Sequence, residues 1–304
     1  MSSIAPPDSS AGLQVLGLGR RFGEVTALDD VGFDVPPGRL VGFVGGNGAG
    51  KTTTMRIVMG VLAADSGQVH WAGAPATAAE RARFGYMPEE RGLYPKQKVL
   101  DQLVYLGRLH GMSASEARTT ATELLESFGL GERLGAKLET LSLGNQQRVQ
   151  IIAAVLHDPI ALILDEPFSG LDPEAVDAMA AVLRSRTAAG VPVLFSSHQL
   201  DLVERLCDEV VVLARGRVVA HGTPDALRDT GTRRWRIVLG GDAGWVRGRG
   251  DLHVADVDGT TAIVEPLSDR ATQDLLAEAV GRGPVHEFAR IVPALSEIYR
   301  EVTA

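Results

Sequence analysis

The sequence reads Gly45-Gly46-Asn47-Gly48-Ala49-Gly50-Lys51-Thr52 directly after the apolar run Leu40–Val44. It fits the pattern G-x-x-x-x-G-K-[ST], and helical sequence continues from Lys51 to about Gly60. Glycines at these positions let backbone N–H groups point inward around phosphate oxygens, and the start of a helix adds a partial positive charge. The stretch therefore predicts a phosphate-binding loop between a buried strand and a helix.

Two side chains of this loop carry further chemistry. The Lys51 ammonium can reach the β- and γ-phosphates of a nucleotide, and the Thr52 hydroxyl can ligate Mg²⁺. The alternative, a glycine-rich turn with an unrelated lysine, is disfavoured by the flanking strand and helix. We therefore assign nucleotide binding to Gly45, Gly46, Asn47, Gly48, Ala49, Gly50, Lys51, Thr52 and Thr53.

An acidic pair follows the apolar run Leu162–Leu164, which is typical of a buried strand. Asp165 at the end of that strand can hold Mg²⁺ opposite Thr52, directly or through water. Glu166 can polarise an attacking water as a general base. The alternative is that both acids only cap the following loop.

A histidine ends another predicted strand. His198 follows Pro192–Ser196, and the carboxyl edge of a parallel sheet is where ligands usually bind. His198 can contact a terminal phosphate there. A surface or core histidine without such a role remains an alternative, because the spacing alone does not decide between them.

A third segment, Leu141–Gln147, precedes a predicted helix over Gln146–Leu156 and has no evident use inside its own chain. One interpretation is an ordinary helix N-cap by Ser142. The other is that the helix start directs N–H groups at a phosphate held elsewhere.

These segments together resemble the nucleotide-binding subunit of ATP-binding cassette (ABC) transporters. The resemblance runs from about residue 13 to 225, and the motifs follow the order of the family. The matches are Phe22 to the aromatic residue that stacks on adenine, Gly45–Thr52 to Walker A, Leu141–Gln147 to the signature, Leu162–Asp165 to Walker B, Glu166 to the catalytic glutamate, Ser169–Asp172 to the D-loop and His198 to the switch histidine.

The resemblance implies a nucleotide site shared between two chains. Cassettes of this family dimerise head to tail, so that Ser142 and Gly144 of one chain face the γ-phosphate bound by Walker A of the other. It implies ATP and Mg²⁺ as cofactors, Glu166 and His198 as catalytic residues, and a separate transmembrane permease as partner. Whether the second cassette is identical stays open.

Two positions depart from the family pattern. In the signature, Leu143 stands for a glycine and Asn145 for a glutamine, while Ser142 and Gly144 are retained. Glu89 stands where the Q-loop glutamine is expected, and its carboxylate is a third candidate metal ligand beside Thr52 and Asp165.

Two further stretches resemble a subgroup of sodium- and drug-exporting ATPases. They are Pro88–Pro95 and Ala294–Tyr299. Export is therefore the expected direction of transport.

The alternation of strand and helix patterns predicts an α/β fold, a P-loop NTPase cassette with a mostly parallel sheet, an antiparallel β part and a helical subdomain. We expect a flexible tail over 1–12 and the nucleotide-binding domain over 13–228, with its helical subdomain at about 97–145. A glycine-rich composition shift near residue 230 indicates a small C-terminal α+β accessory domain over 229–304.

Composition limits the remaining options. The net charge of −8 argues against bulk nucleic-acid binding, so no nucleic-acid partner is expected. One cysteine, Cys207, precludes an internal disulfide, and no run of about 18 apolar residues occurs. We expect a cytoplasmic protein held at the inner face of the membrane by its permease. The alternatives are a soluble cassette ATPase acting on nucleic acid or ribosomes, and a non-hydrolysing nucleotide sensor.

Overall fold

The computed structural model describes residues 12–90, 92–229, 233–291 and 294–303. The chain divides into two compact units, one that ends at Pro224 and one that covers Asp225–Val302. The expected tail over 1–12 lies outside the described residues except for Gly12. Within the described ranges, no helix is both long enough and apolar enough to cross a bilayer.

The first unit contains two β-sheets in its described part. One is a four-stranded antiparallel sheet of order β2-β1-β4-β5, and the other is a six-stranded sheet of order β10-β9-β3-β8-β7-β6. The strands are β1 (Leu13–Phe22), β2 (Val25–Val35), β3 (Leu40–Val44), β4 (Ser66–Trp71), β5 (Ala74–Pro75), β6 (Phe84–Met87), β7 (Ala161–Leu164), β8 (Val193–Ser197), β9 (Glu209–Ala214) and β10 (Arg217–Gly222).

The six-stranded sheet is parallel except at one edge. Strands β6, β7, β8, β3 and β9 pair in parallel, and β10 returns antiparallel to β9 through Arg215 and Gly216, which both have left-handed backbone conformations. Strands β3, β7 and β8 are buried along their whole length, as expected for central strands covered on both faces. The predicted combination of a mostly parallel sheet and an antiparallel β part is confirmed.

Seven α-helices of the described residues belong to the first unit alone. They are α1 (Lys51–Val58), α2 (Ala78–Arg81), α3 (Val99–Leu109), α4 (Ala114–Ser127), α5 (Leu143–Val155), α6 (Pro173–Ala188) and α7 (Leu200–Leu206). Helices α3 and α4 pack against each other within the range expected for the helical subdomain, and both contact α5. An eighth helix, α8 (Pro224–Asp229), spans the division between the units.

The predicted start of α5 at Gln146 is wrong. The helix begins at Leu143, because Ser142 is its N-cap and accepts a hydrogen bond from the Asn145 N–H at 3.4 Å. The helix ends at Val155, one residue before its predicted end. Ser142 therefore does act as an ordinary cap within its own chain.

Close contacts fix α5 on the central sheet. A Cβ on Gly85 of β6 would lie only 2.2 Å from the Ala154 carbonyl oxygen of α5, so only a glycine allows this approach. A similar approach brings Gly42 of β3 against the buried Cys207, whose sulfur would lie 2.7 Å from such a Cβ. Burial raises the pKa of the Cys207 thiol.

The second unit has its own sheet and core. Its antiparallel sheet has the order β12-β13-β11-β14, and the described residues after β11 also form two α-helices and one 3₁₀ helix, Gly244–Gly248. The elements are β11 (Arg234–Leu239), β12 (Leu252–Asp258), β13 (Thr261–Pro266), α9 (Asp269–Arg282), β14 (Val285–Ile291) and α10 (Leu295–Thr303).

Two stacked histidines join the end of α3 to the segment after α5. The rings of His110 and His157 are 3.7 Å apart between centroids and are inclined by only 11°. Burial lowers the pKa of His157 from 6.5 to about 4, and the neighbouring His110 contributes to this shift. The folded protein therefore keeps His157 neutral at pH values where the unfolded chain binds a proton.

This difference predicts an acid-sensitive stability. Above pH 6.5, His157 is neutral in both the folded and the unfolded chain, and the free energy of unfolding is not reduced by its protonation. As the pH falls from 6.5 towards 4, only the unfolded chain binds the proton, and the free energy of unfolding declines. We expect the free energy of unfolding, measured by urea denaturation followed by circular dichroism, to fall over this range. The variant His157→Gln should show a shallower decline, and an unchanged slope would assign the acid sensitivity to other groups.

Candidate functional site

The predicted site residues meet at the carboxyl edge of the parallel strands. Strand β3 leads into the phosphate loop, β7 into Asp165, β8 into His198 and β6 into Glu89. Because the strands run in parallel, these four connections leave the sheet on the same side. A cavity of about 320 Å³ at this edge is lined by Ala27, Gly46–Thr53, Glu89, Asp165 and Glu166.

Glycine is required at two positions of the phosphate loop. Gly50, directly before α1, has φ 109°, and a Cβ there would lie 2.8 Å from the Ala27 carbonyl oxygen. A Cβ on Gly45 would lie 2.6 Å from the Leu213 carbonyl oxygen of β9. The loop is therefore packed closely between β2 and β9, and this packing restricts its backbone at both glycines.

Lys51 is buried at the start of α1 and bonds within its own loop. Its ammonium donates hydrogen bonds to the carbonyl oxygens of Gly45 at 2.7 Å and Gly46 at 3.3 Å. The loop is also anchored from outside, because the Gly216 N–H donates to the Ala49 carbonyl at 3.1 Å. The ammonium is thus held against the cavity that the rest of the loop lines.

The two predicted acids are joined through a serine that the sequence analysis did not assign. The Ser196 hydroxyl, fully buried on β8, donates to Asp165 Oδ1 at 2.5 Å and accepts from the Glu166 N–H at 2.8 Å. Asp165 itself is 1% exposed, and its N–H donates to the Met87 carbonyl at 2.8 Å. The pKa of Tyr86 is raised mainly by the burial of its own side chain, and the nearby negative charge of Asp165 raises it further.

Glu166 and His198 form a pair, a contact that was not predicted from the sequence. His198 Nδ1 lies 2.9 Å from Glu166 Oε2, and the side chains are 58% and 11% exposed, respectively. The distance is that of a hydrogen bond, in which an ionised carboxylate would be the acceptor and Nδ1–H of the ring the donor. Glu166 has φ 52°, a left-handed conformation that is uncommon outside glycine.

The residues at the cavity fit a divalent cation. Asp165 Oδ2 is a buried oxygen without a hydrogen-bond partner among the described residues. An orphaned carboxylate oxygen is costly unless it binds something, and a hard cation with oxygen ligands such as Mg²⁺ is suited to it. Thr52 and Glu89, the other two predicted ligands, line the same cavity.

Two glutamines of α5 bind the loops that carry the acids. Gln147 Nε2 lies 3.2 Å from the carbonyl oxygens of both Glu166 and Pro167. Gln150 Nε2 donates to the carbonyl oxygens of Pro88 at 2.7 Å and Glu90 at 3.3 Å. No sequence pattern marks a side-chain bond to a backbone carbonyl, so neither contact was predictable.

The signature residues lie apart from this cavity. Ser142 is exposed, and neither it nor Gly144 lines the cavity beside the phosphate loop. Leu143, which is also exposed, does line an adjoining cavity of about 640 Å³, together with Asn47, Glu89, Gln147, Glu166, Ser169, Gly170 and His198. The tip of α5 thus faces solvent near the acids of its own chain.

Phe22 is also outside the cavity lining. It ends β1 with 47% of its surface exposed, and the Arg20 guanidinium lies 4.9 Å from its ring centroid. Phe22 belongs to the four-stranded antiparallel sheet, and the residue of that sheet that lines the cavity is Ala27 of β2. Ala27 was given no role on the basis of the sequence. Phe22 therefore does not share the cavity lining with Gly46–Thr53.

Comparison with known proteins agrees with this geometry. Residues 28–169 match the family model described as ABC transporter. The chain is 38% identical over 283 residues to the uncharacterized ABC transporter ATP-binding protein YhaQ of Bacillus subtilis, which covers 93% of this chain and 95% of the relative. It is 39% identical over 211 residues to the Nod factor export ATP-binding protein I of Paraburkholderia xenovorans, covering 68% of this chain and 69% of the relative.

Solved structures give the same result. A structure described as the ATP-binding subunit of an ABC transporter matches with a TM-score of 0.67 and 35% identity, over 72% of this chain and 93% of that chain. The dimeric cassette MJ0796 matches with a TM-score of 0.63 over 69% of this chain and 98% of that chain; at 22% identity it shows the fold alone. The chain therefore belongs to the ABC transporter family, as an ATP-binding subunit, and members of this family hydrolyse ATP.

The serine bridge between the acids provides a test of the site geometry. Ser196→Ala removes the donor to Asp165 and leaves the Glu166 N–H without its acceptor, so ATP turnover should fall. The free energy of unfolding should also fall by about 1–3 kcal/mol, the cost of an unsatisfied buried group. Steady-state phosphate release and urea denaturation measure the two effects.

The next serine on β8 supplies the matched control. Ser197 is also buried, but its hydroxyl accepts a hydrogen bond from the Gln199 N–H at 3.0 Å, whereas Ser196 bonds to both acidic residues. Ser197→Ala should therefore retain more turnover than Ser196→Ala. Equal losses in the two variants would show that the bridge has no special role.

Proposed function

We propose that the chain hydrolyses MgATP between two cassettes and thereby drives export through a separate transmembrane permease. The observation that carries the proposal is the convergence of Lys51, Asp165 and Glu166 on one cavity beside a phosphate loop. This arrangement supplies a cation for the phosphates, an unsatisfied oxygen for a metal and a candidate base for water. It is the set of groups that phosphoryl transfer requires.

Each residue receives a role in this proposal. The backbone of Gly45–Thr53 binds the phosphates, and Thr52, Asp165 and Glu89 are the ligands of Mg²⁺, which neutralises phosphate charge when bound. Glu166 orients and deprotonates the attacking water. Its bond to His198 at 2.9 Å supports a role for the histidine in orienting that carboxylate. Phe22 keeps its proposed role in adenine stacking, although it does not line the cavity.

A second chain would complete the site. Ser142 and Gly144 lie at the N-terminal end of α5, where N–H groups without helical partners favour an anion. These residues do not line the cavity of their own chain, which supports the proposal that they serve the nucleotide of a partner. The solved cassette MJ0796, which has the same fold as this chain, is dimeric, and this is consistent with such an assembly.

A permease would dock near residues 86–110. Tyr94, Tyr105 and Leu109 in this region are large apolar residues that remain exposed. Two relatives are named for Nod factor export and linearmycin resistance, which supports export as the direction. Docking would hold the chain at the inner face of the membrane, with residues 13–228 as the nucleotide-binding domain and 229–304 as the accessory domain.

Mixing two inactive variants tests the shared site. Lys51→Ala should weaken ATP binding roughly tenfold or more, because hydrogen bonds to charged groups contribute about 1.5–3 kcal/mol. Gly144→Asp should instead repel the partner's phosphate. A mixed dimer of the two variants contains one site in which both halves are intact, so mixing should restore phosphate release that neither variant shows alone.

The controls separate assembly from chemistry. Equilibrium binding of a fluorescent ATP analogue should be weakened by Lys51→Ala and retained by monomeric Gly144→Asp. Mixing Lys51→Ala with a Lys51→Ala, Gly144→Asp double variant should restore nothing, because no intact pair of halves exists. The same absence of activity in the first mixture would refute a site shared between chains.

The assignment of the base gives a separate prediction. Glu166→Gln is nearly isosteric and keeps the backbone contacts of Ser196 and Gln147, so ATP affinity should be retained. Turnover should fall by about 10²–10⁴-fold, the usual contribution of a positioned base. Single-turnover phosphate release measures this loss, and near-normal release would remove Glu166 as the base.

A further inference from the structure

Glu89 lies on a segment that depends on side chains for its position. The segment runs from the end of β6 at Met87 to the start of α3 at Val99, and its described residues contain neither helix nor strand. Glu89 nevertheless lines both cavities at the site. A carboxylate on an irregular loop reaches a fixed place only if the backbone on both sides of it is held.

Gln150 holds the backbone on both sides of Glu89. Its amide nitrogen lies 2.7 Å from the carbonyl oxygen of Pro88, the preceding residue, and 3.3 Å from that of Glu90, the following residue. A side-chain amide carries two N–H donors, so it can satisfy both acceptors at once. Gln150 is 5% exposed, and its neighbours Val149 and Ile151 are fully buried.

The support beneath Gln150 is rigid. Helix α5 meets β6 in the backbone contact at Gly85, only four residues before Glu89. Among the residues that the structure describes, the next bonds that fix the loop come later, where the Tyr94 N–H donates to Gln102 and the Glu139 N–H donates to the Pro95 carbonyl. Among the described residues, Gln150 is thus the side chain that fixes the peptide groups flanking Glu89.

We infer that Gln150 is a positioning residue for Glu89, which it holds at the cavity through the two flanking carbonyl groups. The inference rests on the proposed function, because it takes Glu89 to be a ligand of the divalent cation. Gln150 lies outside the signature segment Leu141–Gln147. Its amide therefore adds to the site a residue that the motifs do not include.

Metal binding without turnover tests this role. We would titrate Mn²⁺, as a paramagnetic substitute for Mg²⁺, into the full chain with the non-hydrolysable analogue AMP-PNP and follow binding by electron paramagnetic resonance. Gln150→Met keeps the length of the side chain and removes the donors, so the Mn²⁺ affinity should fall about tenfold, as for other residues that orient metal ligands. Glu89→Ala should cause a similar loss.

The double variant distinguishes positioning from general support. If Gln150 acts through Glu89, then Gln150→Met should weaken Mn²⁺ binding no further in the Glu89→Ala background. Equal losses in both backgrounds would make Gln150 a residue of general structural importance and overturn the inference. Unchanged affinity in Gln150→Met, with a loss in Glu89→Ala, would also overturn it while leaving Glu89 as a ligand.

Two further variants complete the experiment. Gln147→Met is the matched comparison, since its amide bonds to Glu166 and Pro167, and any effect of it should be independent of residue 89. Mn²⁺ affinity is also measured for Gln150→Ala, in which a water molecule can occupy the space of the missing side chain. Thermal melting of both Gln150 variants identifies any variant that is unfolded. If Glu89→Ala retains the wild-type Mn²⁺ affinity, the ligand role of Glu89 fails and the inference falls with it.

Discussion

The parallel register of four strands is the constraint on which the site depends. Val44 pairs with Ser197, Leu164 with Phe195, and Met87 with Leu164, so β3, β8, β7 and β6 end within two residues of one another. A slip of one residue in any strand would turn its side chains to the opposite face of the sheet. The contact between Ser196 and Asp165 exists only in the observed register, and it ties the two acidic positions to the centre of the fold.

Helix α5 connects the sheet to the loops that carry the acidic residues and fixes the positions of these loops. It is fixed to β6 by the contact at Gly85, and from that position its glutamines hold the peptide groups next to both Glu89 and Glu166. The left-handed backbone of Glu166 is a conformation that surrounding contacts must maintain. Ser196 holds its N–H and Gln147 its carbonyl oxygen, so one strand and one helix together determine where this carboxylate points.

The fold class could be predicted from the sequence. So could the meeting of four residues at one edge of the sheet, because each of them belongs to a local pattern at the end of a strand; they are Lys51, Asp165, Glu166 and His198. The role of Ser196 was not predictable, since it requires knowing that β7 and β8 are neighbours although 28 residues separate them in the chain. The start of α5 was misplaced because Gly144 and Asn145 have low helix propensity, which the cap at Ser142 overcomes. Bonds from Gln147 and Gln150 to carbonyl oxygens leave no pattern in the sequence.

The buried Cys207 has a practical consequence. It is the one cysteine of the chain, it packs against the central strand β3, and burial raises the pKa of its thiol. The thiolate is the nucleophile that attacks thiol reagents, so this sulfur reacts slowly in the folded protein. A cysteine introduced at an exposed position would therefore accept a spectroscopic label selectively, without any need to engineer the native residue away.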